Sequence, residues 1–332
     1  MGNPAISAGN RNVLAKPAAD PASGSLGGME AVTSNLVLIY RSGTDVYIMG
    51  LFHYNIEKYS PKQLVIIPLV LLAISLVVLA YVTLTVGMPV RPGIDFSGGT
   101  AVTVITPDTS DQIQATFTGY PLVSISQGLN NGKFITFGPM SDTQYQSLTA
   151  MVETKYPDAQ INQVGESFGK TLQDQAFIAL IIAFIGMAIV VFVSFRTFIP
   201  SFAVILSAFA DMVMTAAMMN VVGIQLTLGT TAALLMLIGY SVDSDILLTT
   251  RVLKRQGKLN DKLAGAFHTG IIMTSTTIAA VTVLLIVSWA GQVEVVEEIS
   301  AVLLMGLFFD ILNTWLTNVG ILKWYVQKGG GK

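Results

Sequence analysis

Four aspartates, Asp211, Asp243, Asp245 and Asp310, interrupt stretches of sequence that are otherwise apolar. A carboxylate at the centre of a membrane helix is disfavoured by roughly 2.5–3.5 kcal/mol, so all four meeting lipid would cost on the order of 10–14 kcal/mol. They must face protein, water or one another. Holding an ordinary Asp neutral at pH 7 costs about 4 kcal/mol, close to the cost of inserting it charged, so such groups are poised to take up and release protons. Proton or ion coupling is the chemistry they point to, set against a role as buried, permanently satisfied packing residues.

Helical spacing shows where these groups look, because residues three, four, seven and eight apart share a face. Asp310 heads a polar stripe continued by Asn313, Thr314, Thr317 and Asn318. Ser207, Asp211, Met214, Thr215 and Met218 form a softer stripe, and Tyr240, Asp243 and Ser244 share a third face. Asp245 lies two positions from Asp243, about 200° around one helix, so the two cannot both enter one cavity. One of them faces a partner. The Asn and Thr residues also suit hydrogen bonding between helices, and Thr274–Thr277 suits close helix packing.

Other chemistries fall away. The chain has 332 residues, 52% of them hydrophobic and 11% charged, which is a membrane composition, and its net charge of −2 offers no trap for nucleic acid. Without cysteine there are no disulfides or thiolate ligands, and the two histidines, His53 and His268, have no ligand-spaced carboxylate beside them. No metal, cofactor or catalysed reaction is expected. Arg91–Thr100 (RPGIDFSGGT) invites a phosphate-loop reading, but Gly98 is followed by Gly99 rather than by Lys and a hydroxyl residue. It reads instead as a glycine turn capped by Asp95. The basic residues Arg251, Lys254, Arg255, Lys258 and Lys262 suit a loop that meets anionic headgroups.

The elements that must position the aspartates are membrane spans. Six apolar runs reach the twenty or so residues that a bilayer core requires: 64–86, 176–195, 198–222, 224–248, 271–290 and 299–322. Alternate sides of these runs carry fourteen and four Lys and Arg residues. Positively charged loops stay in the cytoplasm, so both termini are expected there, with residues 49–63 and the tail 323–332. Residues 87–175 are polar and turn-rich. Strands are expected at Thr100–Ile105, Leu122–Gln127, Lys133–Phe137 and Ala159–Val164, with helices at Ser110–Phe117 and from the Ser141 or Asp142 cap to Lys155. The order βαββαβ predicts an inserted ferredoxin-like α+β domain outside the cytoplasm, between the first and second helices of a six-helix polytopic protein. Residues 1–48 read as a leader whose first thirty residues are disordered, with a weak hairpin at Leu36–Tyr40 and Val46–Leu51.

Gly93, Asp95, Phe96, Gly98, Gly99 and Thr100 match the Gly-x-Asp-Phe-x-Gly-Gly-Thr signature, and the segment resembles the SecD/SecF protein-export membrane proteins. Leu237–Lys254, with Gly239-Tyr240-Ser241-Val242-Asp243-Ser244-Asp245 and Arg251, is similar to the fourth-helix motif of the archaeal SecF branch. Tyr59–Lys62 before the first span fits as well. The likeness runs from Met49 to Lys332, which suggests Met49 as the translation start. It implies a resistance-nodulation-division half that pairs with SecD beside the Sec channel, in contact with the lipid bilayer and with exported polypeptides. Such a subunit assists late export using the proton-motive force. A small-molecule or lipid exporter of that superfamily and a non-transporting brace for the channel are the alternatives. Bacterial members place an acidic residue after an Asn in the fourth helix. This chain has Asp243 at the Asn position, then Ser244 and Asp245. They also carry an Arg before the fifth helix, where this chain has Gly270 with only His268 near it.

Overall fold

The computed structural model describes residues 41–42, 45–48, 52–53, 59–128 and 131–329. The readings of residues 1–30 as disordered, of Leu36–Tyr40 as a strand and of Met49 as the start lie outside the described residues. Two compact units divide the chain at Tyr54 and Asn55. The first contains a small antiparallel sheet of β1 (Arg41–Ser42), β2 (Asp45–Ile48) and β3 (Phe52–His53), with Arg41 opposite Val46 and Tyr47 opposite His53.

The second unit holds the described helices and the inserted domain. Its first long helix, α1 (Pro61–Val86), starts where Ser60 and Gln63 form a reciprocal capping box and stops at Gly87 in the left-handed region. The other long helices are α5 (Glu166–Phe195), α6 (Phe198–Val222), α7 (Leu228–Lys254) and α8 (Leu259–Gly291). These five are long and apolar enough to cross a membrane. A further helical run is built from α9 (Glu294–Leu312), a π-helical segment (Asn313–Asn318) and α10 (Val319–Gln327). α6 and α7 lie inside the bundle, whereas α1, α5 and α8 turn Ile66, Val77, Ile182, Ile189, Val283 and Val287 outward, a surface suited to lipid.

Helix bounds depart from the apolar runs for local reasons. The run 224–248 is helical only from Leu228, because Leu226 bonds in extended form to Arg91 and Thr227 caps the helix with Thr230. α5 and α8 begin well before the runs 176–195 and 271–290, since their first turns are amphipathic and escape a hydropathy window. In α8 those turns bury Leu263, Ala266 and Phe267.

The inserted domain follows the order β4 (Gly99–Ile105), α3 (Ser110–Thr116), β5 (Leu122–Gln127), β6 (Gly132–Phe137), α4 (Asp142–Lys155), β7 (Gln160–Val164). Its antiparallel sheet has the strand order β5-β6-β4-β7. Alternate residues Val102 and Val104 of β4 and Ile135 and Phe137 of β6 share a core with Ile113 of α3 and Leu148 and Val152 of α4, so both helices cover one face. Ser141 is the cap of α4, bonding with Gln144 in another capping box.

Candidate functional site

Asp211 projects from α6, Asp245 from α7 and Asp310 from α9, and all three are buried in the bundle interior. Asp211 accepts from Ser241 Oγ at 2.5 Å on one oxygen and from Asn313 Nδ2 at 2.7 Å on the other. Asp245 Oδ1 accepts from Asn318 Nδ2 at 2.8 Å, and Thr314 Oγ1 lies 2.9 Å from the same oxygen. That hydroxyl is also 3.1 Å from Asp310 Oδ1, while Ser244 Oγ sits 3.0 Å from Asp310 Oδ2. One hydroxyl thus stands between carboxylates from two helices. Among the described residues, Asp245 Oδ2 and Asn318 Oδ1 are buried without a hydrogen-bond partner.

The polar stripe read from the last apolar run converges here: Asn313, Thr314 and Asn318 contact the aspartates, and Thr317 Oγ1 bonds to Asn313 Oδ1 at 3.2 Å. The helix is π-wound at these residues, a local widening that often marks functional positions. The sequence marks Ser241 only as part of the fourth-helix motif, yet it holds Asp211. Its place four residues before Asp245, on the same helical face, was the available signal.

Asp243 does not join the cluster. It is exposed on α7, on a face it shares with Ala232, Met236, Gly239 and Tyr240, while its neighbour Ser244 turns inward. The hydrogen-bond partners of the three buried aspartates are hydroxyls and amides. Gly270, the departure from the likeness noted in the sequence, is closed over by aromatic packing: a Cβ on it would lie 2.5 Å from the Trp315 ring, which also packs edge-on to Phe267 at 4.9 Å between centroids. No side chain fits there without moving that ring.

The Gly93–Thr100 segment does something other than cap its own turn. Asp95, expected to cap the turn, instead accepts from the backbone N–H of Leu228 at 2.8 Å, supplying a partner to a free donor at the start of α7. Gly93 N–H donates to Leu226 O at 2.8 Å, and Leu226 N–H donates to Arg91 O at 2.7 Å. The helical turn α2 (Ile94–Ser97) buries Phe96 and leads into Gly98 and Gly99, whose positive φ values of 74° and 141° favour glycine. A Cβ on Gly99 would meet Phe137 O at 2.3 Å, and one on Gly98 would meet the Glu166 backbone at 2.7 Å. The motif is a joint between β4, α5 and the start of α7.

With this geometry, residues 144–328 match the family described as protein export membrane protein SecD/SecF, C-terminal. The chain is 58% identical over 282 residues to protein-export membrane protein SecF of Methanolacinia petrolearia, covering 85% of this chain and 100% of that one. The chain belongs to the SecD/SecF family. The SecF of Haloferax volcanii is 41% identical over 272 residues, covering 82% of this chain and 95% of the relative. A crystal structure of SecDF, a translocon-associated membrane protein from Thermus thermophilus, matches the fold with a TM-score of 0.65 at 22% identity. That match covers 80% of this chain, which spans 38% of the SecDF chain. Membership of the SecF branch and the apolar helices together make this a multi-pass membrane protein.

Proposed function

We propose that this chain is a six-span subunit of a protein-export assembly that pairs with a SecD-type partner beside the Sec channel and draws on the proton-motive force. In this reading the run from α9 through α10 is the sixth span, residues 87–175 form a ferredoxin-like domain outside the cytoplasm, and both termini are cytoplasmic. The reading assigns no catalysed reaction.

The observation that carries the coupling is the position of Thr314. A threonine hydroxyl has one hydrogen, so it can donate to Asp245 or to Asp310 but not to both. Both contacts, at 2.9 and 3.1 Å, become hydrogen bonds when one of the carboxyls carries a proton and donates in turn. Three carboxylates in an apolar bundle, held by neutral donors, are further relieved of mutual repulsion by a bound proton. Asp245 Oδ2, which accepts no hydrogen bond from the described residues, is where that proton would enter or leave. The exposed face of α7 with Gly239, Tyr240 and Asp243 supports a membrane-embedded partner: a charged Asp against lipid costs roughly 2.5–3.5 kcal/mol, which a polar group on a neighbouring helix removes.

The test is translocation into vesicles containing the full assembly, measured across a range of imposed proton gradients. Asp245→Asn and Asp310→Asn are expected to abolish the gradient-dependent part of export and to leave a residue insensitive to uncoupler. Export equal to wild type at every gradient would reject coupling and leave the bracing role.

A further inference from the structure

We propose that β7 is a docking edge for an extended stretch of exported polypeptide, recognised through its main chain whatever its sequence. The proposal rests on the export reading above and assigns a surface to it.

The sheet order leaves two edges, β5 and β7, and the sequence treats them differently. An open edge presents unpaired N–H and C=O groups and invites another strand, so proteins guard such edges with proline, bulges or charge. β5 is guarded: Pro121 precedes it, and its pairing with β6 shifts register between Leu122 and Ser124. β7 has neither device. Its five residues pair with β4 in unbroken register from Gln160 opposite Thr103 to Val164 opposite Gly99, and its other side meets no strand among the described residues. β7 carries no charge. Gln160, Asn162 and Gln163 are exposed neutral amides, and Ile161 and Val164 are half-buried. Such a surface neither selects nor repels a charged sequence, which suits a partner recognised by main-chain hydrogen bonds alone.

Position adds to this. β7 ends at Val164, and only Gly165 separates it from α5, a helix long enough to cross the membrane. Its neighbour β4 starts at Gly99, in the joint fixed to the start of α7. At about 3.3 Å per residue the edge extends roughly 17 Å from that membrane-adjoining end. A chain leaving the bilayer nearby meets it while still unfolded, when its own N–H and C=O groups are unpaired.

The test exploits the absence of cysteine from the sequence. Asn162→Cys is introduced into the full chain, reconstituted with its membrane partner in lipid, and mixed without a gradient with an unfolded polypeptide carrying one cysteine at successive positions. Gln146→Cys, on an exposed position of α4, is the control. Disulfide formation is expected from position 162 well above that from 146, with little dependence on where the probe cysteine lies, because main-chain recognition fixes no register, and it is expected to fall to the control level for a proline-rich probe, which lacks N–H donors. Yields equal to the control, or yields undiminished for the proline-rich probe, overturn the proposal. So does a disulfide between two copies of the chain or to the membrane partner in place of the probe. Because neither a gradient nor export enters this assay, its failure leaves the coupling proposal standing. Loss of gradient dependence in the aspartate variants, conversely, says nothing about the edge.

Discussion

Thr314 Oγ1 lies within hydrogen-bond distance of Asp245 on one helix and of Asp310 one turn earlier on its own, with a single hydrogen to donate between them. Replacing Thr314 by Val keeps the shape and removes that hydrogen, leaving buried carboxylate oxygens with one fewer donor. Thr314→Ser keeps it. The Val variant is expected to lower the stability of the purified protein by about 1 kcal/mol, read from its thermal midpoint, with Ser close to wild type. Val and Ser variants of equal stability would show that the hydroxyl contributes nothing. The inward stripe of Asn313, Thr314, Thr317 and Asn318 was legible from spacing alone, since helical period decides which residues share a face. Period could not decide between Asp243 and Asp245. Both are carboxylates on one helix, and only the packing of α6 and α9 against it selects Asp245. The π-wound segment was hidden for the same reason: its residues form an ordinary helical stripe on paper.

Among the elements, the joint at Gly93–Gly99 and the start of α7 departs most from the sequence reading. The turn residues were recognised, but Asp95 acts on Leu228, 133 positions away, and no local rule reaches that far. Loss of the acceptor should loosen the first turn of the helix that carries Asp245. Asp95→Ala is expected to destabilise by about 0.5–2 kcal/mol and to speed amide exchange at the start of α7, whereas Asp95→Asn retains an acceptor oxygen and has a smaller effect. Unchanged exchange in the Ala variant would contradict the capping role. The strands of the inserted domain were read almost residue for residue, because alternation and turn glycines fix them locally. The amphipathic starts of α5 and α8 were not, because a helix that leaves the apolar run loses the signal used to find it.

For the molecule as a whole, composition announced a membrane protein, and the SecF relatives place it in its family. The proposed topology sets Gln146 in the inserted domain and Arg255 after α7, both exposed, on opposite sides of the bilayer. Single cysteines at these positions are expected to react with an impermeant thiol reagent from opposite faces of sealed vesicles. Labelling of both from one face would contradict the topology. Under the proposed coupling, the cluster of Asp211, Asp245 and Asp310 holds an exchangeable proton. Infrared spectroscopy of the purified chain with its partner, at neutral pH, tests it most directly. A protonated-carboxyl C=O band is expected that shifts in D2O, is lost or displaced in Asp245→Asn and Asp310→Asn, and is unchanged in Asp243→Asn. A wild-type spectrum without a protonated carboxyl at neutral pH would contradict it.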